Sequence, residues 1–244
     1  MHRFLIQTVA KHIRHDFAFH LIEAIEYQNW YQNEIAYDFK LAETSDGEPD
    51  DIPVGSLEFV MRFIEQHHGI AGDHLHPINV PVALQAPKWA GRSIQTGKPS
   101  NVEMTYPLFV KSADRYKDIA GIIHDKMMLP DGVYQFSEIV EFTSEWRAFV
   151  FRGELRGIHY YSVDFTEFPD IVHVKQMIDA YHDAPAAYTL DIGKTEKGWF
   201  VVEVHPFVSC GLYGFRDNRV LAQMMISGFR WMVEKGRGEV GEYY

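Results

Sequence analysis

Apolar and polar positions follow two different periods along the first part of the chain. Residues 4–9 (FLIQTV) form a short apolar run with strand character. A helix is expected from Asp16, whose carboxylate can cap the free N–H groups of the first turn. Phe17, Leu21, Ala24, Ile25 and Gln28 then share one face. Residues 34–41 read as a second strand and run into the polar stretch 43–51 (ETSDGEPDD), a surface loop by composition. Ser56 caps another helix, with Leu57, Val60, Met61 and Ile64 at helical spacing. Strand, helix, strand, helix within about 70 residues predict a small α/β lobe.

Residues 77–107 carry Pro77, Pro81, Pro87, Gly91, Gly97 and Pro99, the signature of a connector, with a short edge strand expected at 78–84. Strand patterns then dominate, at residues 108–111, 133–140, 146–151, 155–162, 188–192 and 199–205. Arg152-Gly153-Glu154 is a tight hairpin turn and residues 193–198 (GKTEKG) a longer one. A helix near 172–181 separates the last two hairpins. The final helix has one apolar stripe, Val220, Leu221, Met224, Met225, Phe229, Met232 and Val233, with Asp217 as its start and Gly236 as its stop. Residues 237–244 read as a loose tail. The pattern is an α/β chain in two lobes, a small one at 1–85 and a strand-rich one at 86–244.

Composition narrows the function. Of 244 residues, 46% are hydrophobic and 14% aromatic, enough for a packed core. Acidic residues outnumber basic ones 34 to 23, a net charge of -11, which repels phosphate backbones and argues against a nucleic-acid partner held by bulk charge. A local basic site for a small anion is compatible with it. The single cysteine, Cys210, allows no internal disulfide and suits a reducing compartment. No apolar run reaches the roughly 20 residues a membrane helix needs, and the apolar start is too short for a signal peptide. A cytoplasmic, globular protein without a membrane partner is expected.

Three segments carry chemistry. In WFVVEVH (residues 199–205), Val201, Glu203 and His205 share one strand face; YTLDI (188–192) brings Asp191 into an equally apolar strand. The hairpin between them is centred near residue 197, so Asp191 and Glu203 face each other. Such a pair repels unless a divalent cation lies between, for which carboxylate oxygens suit Mg²⁺, or unless each meets a Lys or Arg from another element. If repulsion stands, neutralising either carboxylate should raise heat stability. In SEIVEFTSEWRAFV (137–150), Glu145 and Arg147 lie two apart on one face, as a pair on an exposed sheet or as a site. PLFVK (107–111) ends a short strand in Lys111. The histidines His67, His68, His74 and His76 lack ligands at zinc-finger spacing and read as a loop. Cys210 has no base beside it in sequence and is read as packing.

In order, PLFVKS, SEIVEFTSEWRAFV with the hairpin GELRGIHYY, YTLDIG and FVVEVHPFVSCGLYGF resemble the ATP-grasp superfamily over residues 86–215. The resemblance implies a two-lobed ATP-grasp fold with a small N-terminal α/β lobe. It implies that Lys111 contacts the α- and β-phosphates of ATP, that Glu138, Ile139 and Glu141 form the hinge facing adenine, and that Glu145 holds the ribose. A second nucleotide lysine belongs upstream, with Lys88 the best match. Asp191, Glu203 and His205 would hold Mg²⁺, His205 standing where Asn is common. The loop after Lys111 lacks phosphate-covering glycines and offers Arg115 and Lys117 instead. The implied activity is an ATP- and Mg²⁺-dependent ligase that activates a carboxylate as an acyl phosphate and joins it to an amine of an amino acid or peptide. Arg147 and Arg156 would steady the acyl phosphate or substrate carboxylate. The alternatives are an ATP-dependent kinase, a protein-modifying ligase, or a nucleotide-binding module without catalysis.

Overall fold

The computed structural model describes residues 1–116 and 118–241; Lys117 and the last three positions of the expected tail lie outside the described residues. In chain order the elements begin with β1 (His2–Gln7), α1 (Asp16–Gln32), β2 (Tyr37–Ala42), β3 (Ile52–Val54) and α2 (Leu57–His68). There follow α3 (Pro87–Ala90), β4 (Ile94–Gly97), β5 (Leu108–Ser112), β6 (Ala120–Ile123), β7 (Tyr134–Ser137), β8 (Ser144–Phe151) and β9 (Glu154–Val163). The chain closes with α4 (Ile171–Ala180), β10 (Ala187–Thr195), β11 (Gly198–Pro206) and α5 (Leu221–Gly241). No helix among the described residues is long and apolar enough to cross a membrane.

Two compact units form. Met1–His74, Pro185–Tyr188 and the chain from Pro206 onward make the first; Leu75–Ala184 and Thr189–His205 make the second. The expected division into 1–85 and 86–244 is a single cut in sequence, whereas by contact the last helix groups with the first 74 residues.

The first unit holds a parallel sheet of order β2-β1-β3. Phe4, Leu5 and Ile6 of β1 are fully buried, because a strand covered on both faces must be apolar throughout. All five residues expected on one face of α1 are buried. Asp16 is the first helical residue rather than the cap: His15 holds the cap position, and the Asp16 carboxylate accepts N–H bonds from Phe17 and Leu212. Ser56 caps α2 by accepting the Phe59 N–H. Helix α5 runs through Gly236 and on to Gly241, so residues 237–241 are helix and not tail. Gly236 is a buried position, and it is not among the glycines with positive φ that end a helix, as Gly69 (φ 68°) ends α2.

The second unit contains two four-stranded sheets, ordered β4-β7-β5-β6 and β11-β10-β8-β9. Leu108, Val110, Tyr134 and Phe136 form the core of the former. Arg152 (φ 54°) and Gly153 (φ 76°) make the expected tight turn between β8 and β9. The edge strand expected at 78–84 does not form. Asn79 makes one isolated bridge to Val204, Pro81 supplies no N–H, and Val82–Leu84 is a 3-10 turn. The edge place goes to β4, and β6, with Gly121 inside it, is an addition.

Candidate functional site

The second unit encloses a cavity of about 540 Å³ whose wall draws on both of its sheets. Phe109, Ile122, Ile139, Val140 and Phe142 supply an apolar slot, while Arg92, Lys111, Glu145 and Glu203 supply charge at the other part of the lining. Its floor is fixed by side chains that satisfy backbone groups. Gln135 accepts from Val80 N–H at 3.0 Å and donates to Val80 O at 2.9 Å, and Asn79 donates to Ser112 O at 2.9 Å.

Glu138 and Ile139 both border the cavity. The Glu138 carboxylate accepts the Ser93 N–H at 2.8 Å, and the Glu138 N–H donates to Ser93 O at 3.2 Å, so this side chain clamps the hinge to the chain leading into β4. Glu141 is exposed and outside the lining. Lys88 is also exposed and outside it, with its ammonium 4.4 Å from the ring centroid of Trp89.

The cation that lines the cavity beside Lys111 is Arg92, which the sequence reading passed over. Its guanidinium donates to Ala90 O at 3.0 Å, Val201 O at 2.7 Å and Val202 O at 3.1 Å, and lies 5.9 Å from the Phe142 ring. Burial pushes it down to about 10, since carbonyls rather than a carboxylate surround it. A four-residue helix ending at Gly91 (φ 65°) turns it inward. The signal was an arginine directly after a helix-stopping glycine inside an otherwise uncharged connector.

The polar end centres on a cluster. Ligand atoms of Asp191 on β10 and of Glu203 and His205 on β11 all lie within 4.8 Å of one another. The face expected for the hairpin is therefore the observed one, and both carboxylates also meet cations. Asp191, wholly buried, accepts from Arg147 Nε at 2.7 Å and Nη2 at 2.6 Å. Glu203 Oε2 pairs with Lys111 Nζ, and Glu203 Oε1 lies 2.7 Å from His205 Nε2. Burial lowers Lys111 to about 8; Asp191 and Glu145 oppose the shift while Arg92 adds to it. Burial also lowers His205 to about 4, against the pull of Asp191 and with help from Arg147 and Lys111. Its ring is thus neutral at pH 7, as a metal ligand must be. Glu145, half-buried, is pushed above the usual carboxylate range, first by burial and then by Asp191, with Lys111 opposing. Arg156 stands apart from this cluster's ion pairs and pairs with Glu154 at 2.8 Å.

Two carboxylates and a neutral imidazole at this spacing fit a divalent cation, because each carboxylate oxygen keeps a lone pair beyond the one its cation uses. The histidines of residues 67–76 form no such group among the described residues.

Residues 89–223 match the model of an ATP-grasp domain family, the second family of its clade, and the chain belongs to that family. No curated protein matches the sequence. Among solved structures, a RimK domain protein ATP-grasp from Sphaerobacter thermophilus DSM 20745 is 14% identical, with a TM-score of 0.56 over 95% of this chain and 99% of that one. D-alanine–D-alanine ligase from Bacillus anthracis, complexed with ATP, is 13% identical, with a TM-score of 0.51 over 96% of this chain and 99% of that one. These likenesses establish the ATP-grasp fold, α/β with antiparallel sheets.

Proposed function

We propose that this protein is an ATP- and Mg²⁺-dependent ligase that joins a carboxylate to an amine, with an amino acid or peptide among its substrates. The observation that carries this reading is one cavity with an apolar slot, two buried cations and an acidic cluster in its wall. Adenine suits the slot beside the hinge of Glu138, Ile139 and Glu141, and Glu145 suits the ribose hydroxyls. Lys111 and Arg92 take the phosphates, Arg92 in the place given to Lys88, whose ammonium lies on Trp89. Asp191, Glu203 and His205 would hold Mg²⁺, which supplies neutralisation of charge on the transferring phosphoryl group.

A substrate carboxylate oxygen attacks the γ-phosphorus, the bond to ADP breaks, and an acyl phosphate forms. A neutral amine then attacks the carbonyl, phosphate leaves, and the amine loses a proton. Arg156 is the candidate for steadying the substrate carboxylate, and the lobe at 1–85 for selecting substrates. The single buried Cys210 accords with work in a reducing cytoplasm.

The test is a screen of amino acids and dipeptides, in pairs, for ADP release with ATP and Mg²⁺. A pair that stimulates ADP and phosphate release and yields an amide is expected. ADP with a stable phosphorylated product would make the protein a kinase. ATP binding without turnover on small substrates or on added protein would make it a binding module.

A further inference from the structure

Arg147 was expected to reach a reacting phosphoryl or carboxylate group, and the geometry points elsewhere. We infer that Arg147 is a positioning residue that acts through Asp191, aiming that carboxylate at the divalent cation. The inference rests on reading Asp191, Glu203 and His205 as a metal site.

Arg147 sits on β8 and Asp191 on β10, its neighbour in the sheet. The guanidinium engages both carboxylate oxygens side-on, Nε to Oδ1 at 2.7 Å and Nη2 to Oδ2 at 2.6 Å. Arg147 is 5% exposed and Asp191 0%, so water does not compete for either group. Tyr161 covers the guanidinium, its ring centroid 5.3 Å away. A planar fork on two oxygens fixes the rotation of the carboxylate as well as its place, which a single bond does not. The remaining lone pairs are left for a cation shared with Glu203 and His205. Glu203 is held differently: Lys111, 23% exposed at its side chain, pairs with one oxygen only, a contact open to exchange. One carboxylate of the cluster is therefore set by the fold and the other is adjustable.

The test uses the full-length chain and Mn²⁺ alone, titrated by the loss of the free-ion electron paramagnetic resonance signal, together with ATP kinetics. Arg147→Lys keeps the charge and loses the fork. Folded Arg147→Lys is expected to bind Mn²⁺ about 10- to 100-fold more weakly than wild type, with kcat lowered and the KM for ATP within about threefold. Should Arg147→Lys fail to fold, Arg147→Gln, whose amide still donates one bond, must show the same loss. Wild-type Mn²⁺ affinity in either folded variant, with kcat down, overturns the assignment and puts Arg147 on the substrate. A wild-type chain that binds no Mn²⁺ overturns the metal-site reading itself, and this inference with it.

Discussion

Replacing Asp191 by Asn should cost the fold stability, the reverse of what repulsion between facing carboxylates suggests. The side chain is wholly buried and holds the Arg147 guanidinium at 2.7 and 2.6 Å. Asn keeps the shape and one acceptor, but its NH₂ meets the second guanidinium N–H donor to donor. Arg147 is then left as a buried cation without a counter-charge. Breaking a buried ion pair from one side costs about 3–5 kcal/mol, because the partner's lost solvation is no longer offset. The retained acceptor and the Tyr161 ring put this variant at the low end, about 3 kcal/mol. For a chain of this size that is a fall in Tm of about 6–12 °C. Relief of repulsion from Glu203 opposes the loss weakly, since Lys111 and His205 already meet that carboxylate. Melts followed by circular dichroism in EDTA, without ATP, read the effect directly. An Asp191→Asn variant as stable as wild type, or more so, would refute the pairing as the dominant interaction.

Other outcomes follow from the same geometry. Glu145→Ala should raise the KM for ATP about 10- to 100-fold with kcat little changed, since a ribose hydrogen bond of roughly 1.5–3 kcal/mol serves ground and transition states alike; steady-state kinetics varying ATP decide it. Because Glu145 is held above the usual carboxylate range, the folded state takes up its proton before the unfolded state as pH falls. Stability therefore declines as pH rises through that window, so Glu145→Gln should melt higher than wild type at pH 7 and lose the advantage near pH 4; equal melting points at pH 7 would contradict this. Arg92→Met should raise the KM for ATP at least about tenfold and lower the Tm, because it removes a phosphate cation and three bonds to Ala90, Val201 and Val202 carbonyls. In Gly91→Ala the new Cβ would stand 2.6 Å from the Phe200 ring at φ 65°, which should cost at least about 1–2 kcal/mol in urea unfolding.

Much of this site is written in local patterns. The period of two puts Glu203 and His205 on one face of β11, and the turn between β10 and β11 brings Asp191 opposite. Lys111 at the end of β5 is readable for the same reason. What periodicity does not carry is the order of strands. Since β8 lies beside β10, Arg147 meets Asp191, a pairing 44 residues apart that no single strand pattern records. Arg92 was missed because its partners are carbonyls of β11, which leave no mark on residue type. Helix α5 overran its expected end because Gly236 reads as a stop, while its place in the structure is a buried helical position. Likewise β6 is too short, and too interrupted by Gly121, to announce itself apart from the β5 it pairs with.

The central claim is that the cavity bordered by Arg92, Lys111, Ile139 and Glu145 binds ATP beside a divalent cation. Isothermal titration of a non-hydrolysable ATP analogue with Mg²⁺ into wild type, Lys111→Ala and Glu145→Ala tests it most directly. The account predicts one site per chain in wild type, binding lost in Lys111→Ala, and binding weakened about 10- to 100-fold in Glu145→Ala. A wild-type chain that takes up no analogue, or one whose affinity both substitutions leave unchanged, would contradict it.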